Sequence, residues 1–291
     1  ESDATETPTE VAASTENSRE DLRYGVLSVL NISEDEYMEI NRVRQKALKS
    51  MTNDDSPLMK REVVFYDNLD TMQMALEAGD IDYMHIPKST ADYLIANNDK
   101  MQIRDRVNGY EKLTEEEKRF IEEISNTGFA FMMSEDNKDL RDDFNDAIDD
   151  MKEDGTLDKL IKEYITDVID GKEPEAVEFE DNGDETIKVA VTGDLPPMDY
   201  VAADGSFAGY NTAILAEIGK RLNKKIELKQ VDSAARAINL SSKDVDVVFW
   251  TRVGMEETDE DDETLKKVKE TLSESGYWTQ LDKMDVPEGA M

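Results

Sequence analysis

A single ordered unit occurs twice in this chain: strand, helix, tight turn, D-x-D, buried strand and a polar or charged exit. VVFYDNLDTMQMALEAGDIDYMHIPK, beginning at Val63, lies over ELKQVDSAARAINLSSKDVDVVFWTR, beginning at Glu227, at an offset of 164 positions. Leu76 falls on Leu240, Asp80 on Asp244, Asp82 on Asp246 and Lys88 on Arg252. A further strand and helix precede each copy, at Tyr24 and at Lys188. Strands separated by single helices cannot pair as hairpins; the crossover makes them parallel and lays the helix on the sheet. The pattern predicts an α/β chain of two lobes or modules, each a mainly parallel sheet flanked by helices, and duplication as the origin of the match.

The domain plan follows from where periodicity stops. Residues 1–20 are Ser-, Thr- and Glu-rich with no apolar stripe, and are expected to be a flexible tail or a tether to a membrane anchor. Residues 21–170 form a first module, and 171–185 (GKEPEAVEFEDNGDE) an aperiodic linker. Residues 186–291 form a second module that resembles a first lobe alone. Within the first module, Ser33 is expected to cap a helix reaching Met51 and Thr114 a helix over 111–125. Leu69, Met72, Met74, Ala75 and Leu76 supply the apolar face of a helix stopped by Gly79, and Ser89 caps the next. Leu140, Phe144, Ala147, Ile148 and Met151 recur at helical spacing, Gly155 interrupts them, and Leu157 to Ile165 resume the pattern.

Composition removes several classes of function. The formal net charge is -35, from 69 acidic and 34 basic residues, so phosphate backbones and anionic lipid surfaces are repelled. There is no cysteine, which excludes disulfides, thiol catalysis and Cys-based zinc sites. His85 is the one histidine and sits in a buried-strand pattern, so neither a His-based triad nor a histidine metal site is expected. The acidic run Glu256–Glu263 lacks the spacing and glycine of an EF-hand loop and reads as solvated. Met72, Met74, Met132 and Met133 read as core fillers and not as a copper site. No cofactor and no metal are called for. No run approaches the ~18–20 apolar residues of a membrane-crossing helix.

Several segments together resemble one family. A first strand ends in Gly193-Asp194, followed by Pro196, Pro197, Met198 and Tyr200, a DG turn at Asp204-Gly205, and G-aromatic-N (Gly209, Tyr210, Asn211) opening a helix. A K-I-E-L strand and a D-V-D-V-V strand ending in Thr251-Arg252 complete the set. In this order they resemble the first lobe of the bacterial extracellular solute-binding proteins that serve polar amino acids. GFAFMMSEDNKDLRDDFNDAIDDMKEDGTLDKLIKEYI, from Gly128, resembles the closing segment of that family. The closing segment here comes before the opening one, which leaves a tandem arrangement and a single two-lobed clamshell both open.

The resemblance implies capture of a ligand carboxylate by arginine beside a hydroxyl, since a planar guanidinium fork matches a carboxylate. It places Arg252 and Thr251 in that role, with Asp194 near a ligand ammonium and Tyr200 or Met198 as the wall. Trp250 ends an apolar strand and reads either as core or as a stacking surface. All lie at or beyond strand carboxyl ends, where ligands of open α/β sheets sit. Asn211 and Ala213 occupy positions where the family often has an acid. A second candidate site is Lys88, Ser89 and Thr90 at a helix start, which can accept an anion or simply cap. The implied function is the extracytoplasmic, periplasmic or cell-surface component of an ABC-type uptake system, lipid-anchored if the tail is a tether. It would hand a small polar solute, an amino acid first, to a membrane permease. A ligand-sensing receptor domain is the alternative, and an enzyme on the same fold ranks last.

Overall fold

The computed structural model describes residues 22–28, 61–103, 114–115, 128–134, 136–181, 183–232 and 235–253. The helices expected after Ser33 and over 111–125, the tail 1–20 and the acidic run 256–263 lie outside these residues, Thr114 and Glu115 apart.

Two main sheets carry the fold. Sheet A holds β1 (Leu22–Leu27), β2 (Arg61–Tyr66) and β3 (Tyr83–His85), ordered β2-β1-β3 and all parallel. Between β2 and β3 runs α1 (Leu69–Ala78), and α2 (Lys88–Asn97) follows β3. Then come β4 (Gly128–Met133), α3 (Lys138–Glu153), α4 (Thr156–Ile161), a π-helical turn (Lys162–Thr166) and α5 (Asp167–Ile169). Next are β5 (Thr186–Val191), β6 (Asp194–Leu195), β7 (Asp199–Val201), β8 (Phe207–Ala208), α6 (Tyr210–Leu222), β9 (Lys225–Gln230), α7 (Arg236–Ser241) and β10 (Val247–Val253). Sheet B is ordered β4-β10-β5-β9, with β10 parallel to β5, β5 parallel to β9, and β4 antiparallel to β10. The short strands β6-β7-β8 form a third, antiparallel sheet.

Local chemistry explains the element ends. Asn68 caps α1 in extended backbone, its side chain accepting the Thr71 N–H at 2.9 Å. Gly79 closes it at φ 76°, its N–H turned onto the carbonyls of Ala75 and Leu76. The same turn ends α7, but there Lys243 takes the left-handed position at φ 61°. Asp80 N donates to Ala75 O and Asp244 N to Asn239 O, each at 2.9 Å. Asp82 and Asp246 then perform one task in two sheets. Each carboxylate accepts a backbone N–H at the start of the neighbouring strand, from Arg23 at 2.7 Å and from Lys188 at 2.9 Å. The D-x-D of the sequence is thus a clamp that sets strand register.

The inner strands of sheet B are buried on both faces, whereas the edge strand β9 is half-buried to exposed. Phe131, Met133, Val189, Val191, Val247 and Phe249 face α3 and α6, while Met132, Ala190 and Val248 face Leu240 and Val245. Phe131 lies between Phe144 (5.4 Å, 77°) and Phe249 (5.2 Å, 47°). The apolar cluster continues through Leu27, Leu69, Met72, Ala75, Ile81 and Leu94 of the sheet A side.

Three expectations change. Met74 is 67% exposed and points away from the face built by Leu69, Met72 and Ala75. His85 is exposed, because β3 is a three-residue edge strand of sheet A. The cap of α2 is Pro87, so Ser89 lies one residue inside the helix. The described residues of 171–185 form no helix or strand; Val177 and Phe179 pack on the core, and Asp181 and Glu185 pair with Lys225 and Lys224 at 2.6 and 3.1 Å.

Candidate functional site

The carboxyl end of β5 leads through Thr192 and Gly193 into the β6–β7 hairpin, in which Asp194 pairs with Tyr200. The hairpin is held from below. Asp199 is fully buried, and its Oδ2 accepts the backbone N–H of Thr192 (3.1 Å) and of Gly193 (3.2 Å). Gln230 at the end of β9 donates to Thr192 O at 2.9 Å. The start of α6 closes the other side. Gly209, at φ 104°, brings its Cα so near the carbonyls of Met198 and Pro197 that a Cβ would lie 2.7 Å from each. Asn211 N and Tyr210 N then donate to Met198 O (2.7 Å) and Pro197 O (3.1 Å).

Arg236 of α7 reaches into this corner and is fully buried, its Nη1 donating to Phe249 O at 2.8 Å. Removal from water pushes the guanidinium down to about 9, and the charges of Asp199 and Asp194 oppose that. Burial likewise pushes Asp199 up to about 6, against the Gly193 N–H and Arg236. Asp194 is raised by burial too, while the Thr192 hydroxyl, Arg236 and the backbone N–H of Leu69 act the other way. Leu69 opens α1, so a carboxylate from the sheet B side faces the positive end of a helix from the sheet A side. Tyr200 is raised by burial and by Tyr93 of α2, which comes from the same opposite side. Two buried charges of opposite sign, Asp199 and Arg236, thus lie beside the half-buried Asp194.

The sequence candidates divide into four groups. Asp194 and Tyr200 are brought together. Met198 is fully buried in the apolar cluster under the hairpin. On β10, Thr251 pairs with Ala130 and Arg252 with Phe129, and the register shifts between Phe249 and Thr251, at Trp250; the side chains of Trp250, Thr251 and Arg252 lie outside the described residues. Lys88 is ion-paired with Asp92 at 2.7 Å, Ser89 is half-buried, and Thr90 is fully buried with no partner for its Oγ1. Sequence reasoning missed Asp199, Arg236, Gln230 and Thr192. A lone arginine in the run Ala234-Ala235-Arg236-Ala237 was the available signal, because a cation flanked by alanines is a candidate for burial. Among the described residues, no three His, Asp or Glu side chains converge on a metal position, and no helix is long and apolar enough to cross a membrane.

The architecture is that of open, mainly parallel α/β sheets, a class in which ligands sit beyond strand carboxyl ends, where Asp194 lies after β5. The family model of the bacterial extracellular solute-binding proteins, family 3, matches residues 38–167 and 187–276, and the chain belongs to that family. That family comprises extracellular solute-binding proteins. No curated protein matches the chain. Among solved structures, the chain is similar to the ligand-binding component of an ABC-type import system from Staphylococcus aureus with zinc bound. The identity is 15% and the TM-score 0.33, over 81% of this chain and 55% of that one. The chain therefore spans about half the length of that protein.

Proposed function

We propose that this protein captures a small polar solute, an amino acid in the first instance, between its two sheet units and presents it to the permease of an ABC-type importer. It performs no chemistry on that solute and needs no cofactor. What supports this reading most is the pairing of Asp194 with Tyr200 in the hairpin beyond the carboxyl end of β5, with the Leu69 amide acting on Asp194 and Tyr93 on Tyr200. Groups contributed by both sides give a ligand something to bridge, and a bridged ligand shifts the population toward the closed form. Asp194 serves a ligand ammonium and Arg252, beside Thr251, a ligand carboxylate. The matching turns and aspartate clamps of the two sheets support a duplicated lobe, with 21–170 and 186–291 contributing to one binding unit.

A thermal-shift screen against the twenty amino acids, short peptides and dicarboxylates tests the proposal. A ligand bound only by the folded state raises stability by about 2.7 kcal/mol at a hundredfold excess over its dissociation constant. Arg252→Ala is expected to abolish the shift while leaving the ligand-free midpoint in place. An unchanged shift removes Arg252 from the site, and no shift with any compound refutes the amino-acid assignment.

A further inference from the structure

The two helices of the sheet A side begin differently. α1 starts with a capping Asn68 and carries Asp70 in its first turn, and its Leu69 amide acts on the Asp194 carboxylate. α2 starts at Pro87, which offers no capping side chain, and its first turn holds no acid. The first helical bond runs from Ala91 N to Pro87 O at 2.9 Å, so the amides of Lys88, Ser89 and Thr90 have no acceptor within the helix. In a chain with 69 acidic residues, this turn carries a lysine and two hydroxyls.

Thr90 occupies the third position of that turn. It is fully buried, and its Oγ1 has no hydrogen-bond partner. A buried hydroxyl left unmatched costs free energy, so folded proteins rarely keep one without a use. The Cα–Cβ bond of a helical residue tilts toward the helix N-terminus, which aims the Thr90 side chain back at the open amides. Tyr93 lies three residues further on, hence on the same face, and acts on Tyr200 of the β6–β7 hairpin. That face of α2 therefore looks toward the side that carries Asp194. Lys88 adds little charge here, because it is exposed and paired with Asp92 at 2.7 Å. The attraction for an anion comes from the amides and the hydroxyl, with Asp92 opposing it one turn on.

We propose that the N-terminus of α2, with Thr90 as its hydroxyl, is an anion subsite that receives a second carboxylate of the solute, so that the protein selects amino acids with an acidic side chain. This rests on the amino-acid reading above, in which Arg252 serves the first carboxylate and Asp194 the ammonium. A carboxylate suits the subsite better than a phosphate, which would bring about two charges toward Asp92 and Asp194 in a chain already strongly negative. Since Thr90 has no exposed surface, loading requires the two sides to part, and closure delivers the side chain to the amides.

The test is calorimetric titration of the wild type, Thr90→Val and Thr90→Ser. The probes are L-glutamate with L-glutamine, L-aspartate with L-asparagine, and glutarate. Each amino-acid pair differs by one charge at nearly constant shape. The wild type is expected to bind one acid at least about tenfold more tightly than its amide, the worth of one hydrogen bond to a charged group. Thr90→Val is expected to remove most of that preference and Thr90→Ser to keep it. As the hydroxyl has no internal partner, the valine variant should melt no lower than the wild type without ligand. Acids and amides binding alike, a preference that survives Thr90→Val, or a clearly lowered ligand-free midpoint overturns the subsite and leaves the amino-acid reading standing. Glutarate lacks the ammonium, so Thr90-dependent binding of glutarate without any amino acid keeps the subsite and overturns the amino-acid reading. No binding by any of the five overturns the subsite and leaves the amino-acid reading to the full screen.

Discussion

The packing of Phe131 against Phe249 offers a quantitative test of sheet B. Phe131 belongs to β4 and Phe249 to β10, both are fully buried, and their rings lie 5.2 Å apart at 47°. Phe131 also meets Phe144 of α3 at 5.4 Å in an edge arrangement. Phe131→Leu and Phe249→Leu keep both positions apolar, and each is expected to cost about 1–2 kcal/mol through lost contacts and imperfect refilling. A buried aromatic pair contributes about 0.5–1.5 kcal/mol beyond its area, so the double variant should be less destabilised than the sum by that amount. The Phe131–Phe144 cycle, made in the same way, gives the coupling between β4 and α3. The assay is urea unfolding of the wild type, single and double variants, with the slope checked for constancy. Residues on independent units add within about 0.3 kcal/mol. Additivity at Phe131–Phe249 with coupling at Phe131–Phe144, or two separate transitions in the wild type, would falsify the idea that β4 and β10 fold as one sheet.

Three further outcomes follow from local features. Lys243→Gly should stabilise the protein by up to about 1 kcal/mol, since the left-handed turn costs a side-chain-bearing residue ~1–2 kcal/mol and glycine returns part of that as chain entropy. The Asp136 pair lost with Lys243 is exposed and weak; a lowered urea midpoint would contradict this. Asp199, raised from 3.8 to about 6, holds its proton more tightly folded than unfolded, so its contribution to stability is present below pH ~4 and is lost as pH rises to ~6, by at most about 3 kcal/mol. Comparing wild type with Asp199→Asn across that window isolates the effect, and parallel pH profiles would show the carboxyl to be ordinary. Met72→Ala should cost about 2–5 kcal/mol and Met74→Ala close to nothing, as one is fully buried and the other 67% exposed; equal effects in thermal denaturation would refute the orientation of α1.

The alternation of short strands with single helices was enough to foresee two mainly parallel sheets, because a crossover helix leaves the chain little other choice. Gly79 marked the end of α1, since a left-handed residue there turns the chain off the helix. Met74 misled because the run Leu69 to Leu76 is apolar on more than one side, and periodicity alone could not say which side faces the sheet. His85 misled because a three-residue edge strand reads like an internal one. The antiparallel entry of β4 was not legible: its sequence, FAFMM, fixes burial on both faces but carries no information about direction. Among the candidate residues, Asp194 and Tyr200 share a loop in the sequence, and the structure makes them hairpin partners. Asp199 and Arg236 were not legible, since what makes them unusual is an environment assembled from β5, β9, α6 and α7.

The pairing of β4 with β10 also has a mechanical meaning. Gly128 begins β4, Val253 ends β10, and the two are register partners, so the chain enters and leaves this ladder at one end. Tension applied to the segments on either side is directed across the first bonded pair and not along the strands. The ladder therefore peels open pair by pair from Gly128–Val253 instead of resisting with all its pairs in shear. Under load, this seam should yield at lower force than the parallel pairing of β5 with β9.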